Sequence, residues 1–513
     1  MGDQPGDTPG DPRKRFTVFT PMLAERAAVR GRLAEAVVVR SGMGVTRAER
    51  TVARHGAGEG PVAVLGVAGA IAPHVLAGDV VVASEVLSES GTFPCPSAPL
   101  LAALLRRAGA RVHVGPLATI SGSKPTTTPA QRQELEDAGA IAVDMETAPI
   151  AAAAAAAGVP FAAVRVVTDT AAAPLWHPGI IKRGLVALRT VRRIAPLLEQ
   201  WAAATDEREI LLASPRSFCA GVERAIDTVA AALERFGAPI YVRRQIVHNA
   251  HVVHDLEERG AVFVQELDEV PDGSRVIFAA HGVAPQVRSE AVNRGLRFID
   301  ATCPLVAKVH HEVRRHAELG RTVFLLGHND HEEVVGTVGE AADRVVVING
   351  LDEARSVTVE DESRVAYAVQ TTLAVDEAEQ VALALRERFP AIVAPPSDDI
   401  CYATTNRQKA VREVAVDADL VIVVGSQNSS NSARLVEVAE RAGAPALLVD
   451  DASELDLDRL RGVRRIGLTA GASAPPGLVD ELVHCLSGLG PIRVHERSTV
   501  TEDIRFALPK EVT

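Results

Sequence analysis

Asp300-Ala301-Thr302-Cys303-Pro304 is the stretch from which the rest of the chain can be read. A strand-like run and a short polar turn lead into the cysteine, and Pro304 suits the first position of a following helix. The same arrangement recurs at Pro215-Arg216-Ser217-Phe218-Cys219 and at Asp398-Asp399-Ile400-Cys401. A small polar anchor then follows each cysteine, after another strand: His248, His331 and Ser429, at 29, 28 and 28 residues. A second anchor ends a further strand: His281, Thr371 and Ser473, at 62, 68 and 72 residues. One supersecondary unit is repeated three times, which predicts three α/β lobes around a pseudo-threefold axis.

In such sheets ligands bind beyond the carboxyl ends of the strands, where every cysteine and anchor falls. Three thiols would converge there, each near a helix N-terminus that favours the thiolate. Convergent thiolates suggest a metal ion or an iron–sulfur cluster. Three ligands leave a coordination position open, as in a catalytic centre. Zinc held by three Cys and one of His248, His281 or His331 is the alternative. The anchors, with the run Gln427-Asn428-Ser429-Ser430-Asn431-Ser432, supply neutral donors, imidazoles able to carry charge, and helix N-termini. That is a pocket for a compact polyanion such as a diphosphate. Glu333, two residues beyond His331, is the acid within an anchor motif. Buried beside an anion, it would have a raised pKa and could deliver protons.

The 513 residues of the chain, at roughly 150 per domain, imply two or three compact units. Strand-like runs (Val62–Val67, Asp79–Val82, Phe161–Val167, Ile210–Ala213, Val276–Ala280, Val323–Leu326, Leu420–Val424) alternate with helical patterns, arguing for α/β domains with mostly parallel sheets. The polar run 205–209 separates a first domain at 16–204 from a second at 208–513. Residues 1–15, rich in Gly, Pro and Asp, are expected to form a disordered tail without the apolar core of a signal peptide. A net charge of −12 argues against a general nucleic-acid or anionic-membrane binder. No stretch resembles a membrane span, and five cysteines without a C-x-x-C pair indicate a cytoplasmic setting.

The blocks PRSFCAGVERAID (215–227), YVRRQIVHN (241–249), DATCPLVAKV (300–309), DDICYATTNRQ (398–408), GSQNSSNS (425–432) and TAGASAP (469–475) resemble the 4-hydroxy-3-methylbut-2-enyl diphosphate reductase family. The resemblance runs from Ile210 to about Pro509 and implies a three-lobed α/β trefoil. It implies that Cys219, Cys303 and Cys401 hold a 4Fe–4S cluster whose fourth iron takes the substrate hydroxyl. His248, His281, Ser429, Ser430, Asn431 and Ser473 would grip the diphosphate, with His331 nearby. Glu333 would supply protons and Thr371 would order the hydroxyl end. Two one-electron transfers, with a ferredoxin or flavodoxin as donor, would expel water and give isopentenyl and dimethylallyl diphosphates. Three departures flank these positions: Ser214 and Ser217, where Asn and Gly are common, and Glu332, where Pro is usual. A different class, an iron–sulfur redox sensor, would need neither the diphosphate anchors nor Glu333.

The first domain carries Gly66-Val67-Ala68-Gly69-Ala70, Asp144-Met145-Glu146 and Val167-Thr168-Asp169-Thr170. Separated carboxylates beside Gly-rich strand ends suit N-glycosidic cleavage. These motifs resemble the nucleoside phosphorylase/nucleosidase superfamily, including the hopanoid-associated phosphorylases. The resemblance implies that Glu146 holds ribose hydroxyls, Asp169 protonates the leaving base and Glu25 activates water. Ser121-Gly122-Ser123-Lys124 lacks the aromatic expected to stack on a purine, so an unusual base or a non-catalytic domain are the two expectations here.

Overall fold

A computed structural model describes residues 16–122, 128–171, 175 and 178–513. The expected N-terminal tail, and Ser123 and Lys124, lie outside the described residues. Contacts divide the chain into two compact units. The first runs to Glu209 and takes in Asp451–Arg464 and Asp480–Arg493; the second comprises Ile210–Asp450, Arg465–Val479 and Val494–Thr513. The polar run at 205–209 thus lies where the chain first passes from one unit to the other. Among the described residues, no helix is long and apolar enough to cross a membrane.

The first unit is built on an eight-stranded sheet. Its central strand, Val62–Ala70, is apolar and almost entirely buried, as a strand covered on both faces must be. It pairs with Thr17–Thr20, Ala142–Asp144 and Phe161–Asp169. Phe161–Asp169 also pairs with Val80–Ser88, which returns through Val112–Thr119 to Ala142–Asp144. Five strands therefore close on themselves and leave no open edge among them. The sheet is more mixed than the sequence suggested. Val80–Ser88 turns straight back into Gly91–Pro94, and so short a connection permits only an antiparallel pair.

The second unit holds three separate sheets, and the repeat is visible in each. A central strand (Ile240–Arg243, Thr322–Leu326 or Leu420–Val424) lies between two parallel neighbours. The neighbours are Ala261–Val264 and Arg275–Phe278, then Val345–Ile348 and Val365–Val369, then Ala446–Val449 and Arg465–Ala470. Each sheet packs its helices over its own apolar cores. Additional strands extend two of them: Arg297–Asp300 on the first, and Arg208–Ser214 with Ile492–Ser498 on the third.

One expected strand is reduced. Ahead of Cys401 the chain makes a single bridge, Val393 to Ala366, instead of a ladder. Pro395 and Pro396 follow at once and have no N–H to contribute to one.

Candidate active sites

Each of the three repeated cysteines occupies the N-cap of a helix: Cys219 before Ala220–Phe236, Cys303 before Pro304–Glu318, and Cys401 before Tyr402–Ala415. Their backbone N–H groups make a repeated bond. Cys219 donates to the Ala472 carbonyl at 3.3 Å, Cys303 to Ala280 at 3.0 Å and Cys401 to Thr371 at 3.1 Å. These carbonyls belong to the loops that carry Ser473, His281 and Thr371. The second anchor of one repeat therefore fixes the cysteine of another, which explains why the anchors and cysteines share one register. All three thiols line a cavity of about 100 Å³.

A side chain at Gly221 would crowd the thiols, since a Cβ there would lie 2.6 Å from Cys303 Sγ. Burial pushes the Cys303 thiol up to about 12 and Cys401 to about 11, with the neighbouring sulfurs adding to the rise. The helix N-termini favour thiolates, but burial outweighs them until a cation shares the site. His248, His281 and Glu332 also offer ligand atoms close enough together to share a cation, although Glu332 faces Arg244 at 3.5 Å.

The imidazoles gather on the same cavity. His248 and His281 stack with ring centroids 4.0 Å apart, and His331 meets His248 edge-on at 5.6 Å. Both ring nitrogens of His248, and Nε2 of His281, are buried without a protein partner. Such orphans mark the place of a ligand or water. Burial pulls His248 and His331 down to about 4 and His281 well below its usual value. The imidazoles are therefore neutral without a bound anion, where the sequence suggested that they could carry charge. His331 Nδ1 accepts the Glu333 N–H at 3.2 Å, which leaves its proton on Nε2.

Ser429 caps the helix Ser430–Arg441, and its hydroxyl meets that of Ser473 at 3.3 Å. Ser430 Oγ lies 3.0 Å from Thr372 Oγ1. Asn431 also borders the cavity, but both ends of its amide bond protein: Oδ1 accepts the Ala472 N–H at 2.9 Å, and Nδ2 donates to Thr404 at 3.3 Å.

Glu333 is 2% exposed, and Thr371 donates to it twice, from N at 2.7 Å and from Oγ1 at 2.9 Å. Burial raises its carboxyl to about 7 despite those two bonds. Thr404, which the sequence reading passed over, donates its N–H to Cys401 Sγ at 3.4 Å. Its signal was its place three residues into the helix, where a cap receives its bond. Ser217, at a departure from the usual Gly, adopts a left-handed φ of 61°. The preference for Gly there follows from the backbone.

The first unit has its own cavity, of about 290 Å³, lined by Glu25, Glu146 and Asp169 among mostly apolar side chains. Glu25 accepts the N–H groups of Met22 at 2.6 Å and Val67 at 2.7 Å, and burial raises its pKa. Glu146 and Asp169 are raised by the same cause. Arg165 ties the acids together. It is wholly buried, pairs with Asp144, and reaches Glu146 at 2.9 Å. It was missed in the sequence, although a lone cation within FAAVRVVTD was the available signal. Gly66 makes room for this pair, since a Cβ there would sit 2.6 Å from both Arg165 Nη1 and Glu25 Oε1.

Residues 5–182 match the phosphorylase superfamily, and residues 210–487 match the LytB protein family. The chain is 58% identical over 312 residues to a 4-hydroxy-3-methylbut-2-enyl diphosphate reductase of Acidothermus cellulolyticus, covering 61% of this chain and 92% of that protein. It is 56% identical over 307 residues to the enzyme of that name from Azoarcus sp. (strain BH72), covering 60% and 98%. Among solved structures, the E-1-hydroxy-2-methyl-but-2-enyl-4-diphosphate reductase of Plasmodium falciparum aligns with a TM-score of 0.58 at 37% identity, covering 60% of this chain and 97% of that one. With more than half its length matched, the chain belongs to the LytB protein family.

Proposed function

We propose that the second unit is a 4-hydroxy-3-methylbut-2-enyl diphosphate reductase, its three lobes arranged as a trefoil around one 4Fe–4S cluster. The observation that carries this reading is the shared cavity. Three half-buried thiols, unpartnered imidazole nitrogens and a titratable carboxyl face one space. The residues fit the group: three thiols on helix N-caps line one cavity, and a cation between them would favour their thiolate forms. Cys219, Cys303 and Cys401 would hold the cluster, which when bound supplies single electrons and one open iron.

The remaining chemistry falls to the chain's own side chains. His248 and His281, unpartnered and neutral, donate hydrogen bonds to a diphosphate, and its charge raises their pKa so that they gain protons. Ser429, Ser430 and Ser473 supply hydroxyl donors, with His331 beside them. Asn431 holds the Ala472 loop in place for them. Glu333, which lines the cavity, holds a proton near neutral pH and supplies it to the departing oxygen, while the Thr371 hydroxyl, bonded to Glu333 at 2.9 Å, orders the hydroxyl end. Two electrons and two protons replace the C–O bond with C–H, and water leaves. A ferredoxin or flavodoxin is the donor, and free thiols suit the reducing cytoplasm.

The test is anaerobic purification with iron and sulfide counting, then incubation of 4-hydroxy-3-methylbut-2-enyl diphosphate with dithionite-reduced viologen. Isopentenyl and dimethylallyl diphosphates are the expected products. A colourless zinc protein would overturn the reading, and a clustered protein without turnover would favour the redox sensor.

A second reading concerns the first unit, and the Glu25–Arg165–Glu146 network favours it. Glu146 would hold ribose hydroxyls, Asp169 would protonate the leaving base and Glu25 would activate water. Release of free base from nucleosides by the full chain, lost in Asp169→Asn, is the expected result. No release from any purine or pyrimidine nucleoside would leave the unit non-catalytic.

A further inference from the structure

The helix after each cysteine carries a cation that crosses to the loop ahead of another cysteine. Arg224, five residues beyond Cys219, donates to the Thr302 carbonyl at 3.1 Å and to Ala507 at 2.8 Å. Lys308, five residues beyond Cys303, donates to the carbonyls of Asp398 at 2.9 Å and Ser397 at 3.2 Å, and to the Asp399 carboxylate at 3.2 Å. Arg407, six residues beyond Cys401, donates to the Ser217 carbonyl at 2.7 and 3.0 Å and to Phe218 at 3.0 Å. Thr302, Asp398-Asp399 and Ser217-Phe218 are the turns leading into Cys303, Cys401 and Cys219. The links run from the first cysteine helix to the second loop, from the second to the third, and from the third to the first. They form a closed cycle.

We propose that Arg224, Lys308 and Arg407 are positioning residues that clasp the three cysteine loops into a ring and hold the sulfurs at cluster spacing. The inference rests on reading this cavity as a cluster site. Side chains in the first turns of a helix point back toward its N-terminus, so a long cation there reaches the turn beside the cap. Charge-assisted bonds to main-chain carbonyls are stronger than neutral ones and fix the turn itself. Two links would leave one loop free to drift; three in a cycle fix all three separations. The cations are themselves held. Arg407 is fully buried against Glu502 at 3.1 Å, and the Asp399 carboxylate that receives Lys308 also accepts the Val369 N–H at 3.0 Å.

The experiment uses the full chain, both as purified anaerobically with iron and as iron-free protein. Arg407 is buried and its loss endangers the fold, so Lys308→Met and Arg224→Gln carry the test, with Lys308→Arg as the rescue. In iron-free protein, Lys308→Met is expected to speed amide exchange at 397–401, and Arg224→Gln at 302–303, each in the neighbouring loop and not in the helix of the substituted residue. In the iron-loaded protein, bleaching of the cluster by a chelator is expected to run roughly tenfold faster in both, and to return to the parent rate in Lys308→Arg. Unchanged exchange and bleaching, or faster exchange along Pro304–Glu318 alone, would overturn the clasp. A parent protein that takes up no iron would overturn the cluster reading instead, while the exchange measurement would still decide whether the loops are clasped.

Discussion

The two cavities stand at equivalent places, at the ends of strands in α/β sheets, and their electrostatics are opposite. The first collects Glu25, Asp144 and Glu146 around one buried Arg165, within mostly apolar walls. Such a site favours a neutral ligand on which positive charge develops, as at the sugar of a nucleoside. The second presents hydroxyls, helix N-caps and, on His248 and His281, imidazole nitrogens without a protein partner. It favours an anion. The strand-end position is generic to the architecture, and the side chains placed there select the ligand.

The contrast between the two cavities disappears if the thiols do not make one centre. Cys303→Ser is expected to lose the visible absorbance of the cluster and all reductase turnover, read on the anaerobically purified variant. Next in size, Glu333→Gln is expected to keep the cluster spectrum and lower turnover by about 10²- to 10⁴-fold. Unchanged rates would remove Glu333 from the proton path. The same group gives the pH dependence its sign. Because burial raises Glu333 to about 7, turnover is expected to fall as pH rises through that value. Folding stability moves the same way: the neutral buried acid is favoured below the ordinary carboxyl range, and that advantage is lost as pH passes about 7. Glu333→Gln should abolish this slope in a pH series of thermal melts.

His281→Asn is expected to raise KM about 10- to 100-fold with a smaller change in kcat, since it removes a donor to the bound diphosphate. The smallest effect sharpens the contrast from the other side. Gly66→Ala places a Cβ against both Arg165 and Glu25 and is expected to destabilise the first unit by about 1–3 kcal/mol. Reductase turnover should stay at the parent level, and a parallel loss there would show that the two cavities are not independent.

The cysteines and anchors were legible in the sequence because a threefold repeat exposes register, and register survives translation into structure. Glu333 was legible because it lies inside an anchor motif, and burial then raised it as expected. What could not be read was charge state. The imidazoles looked able to carry charge, and only their depth in the fold makes them neutral. Arg165 and Arg407 were invisible for a related reason. A single cation in an apolar strand, or one of two Arg on a helix, gains meaning only when the group it reaches is known. The reduced strand before Cys401 was over-read from an apolar run whose two prolines should have shortened it.

On the proposed reading, one cavity joins an electron-delivering centre to the proton held by Glu333. The most direct measurement is anaerobic oxidation of reduced viologen by the parent chain and by Glu333→Gln, with and without 4-hydroxy-3-methylbut-2-enyl diphosphate. The expected result is substrate-dependent oxidation in the parent, two electrons per product, and almost none in the variant although both carry the same cluster spectrum. Viologen oxidation that proceeds equally in Glu333→Gln, or a coloured parent protein that oxidises none, would contradict it.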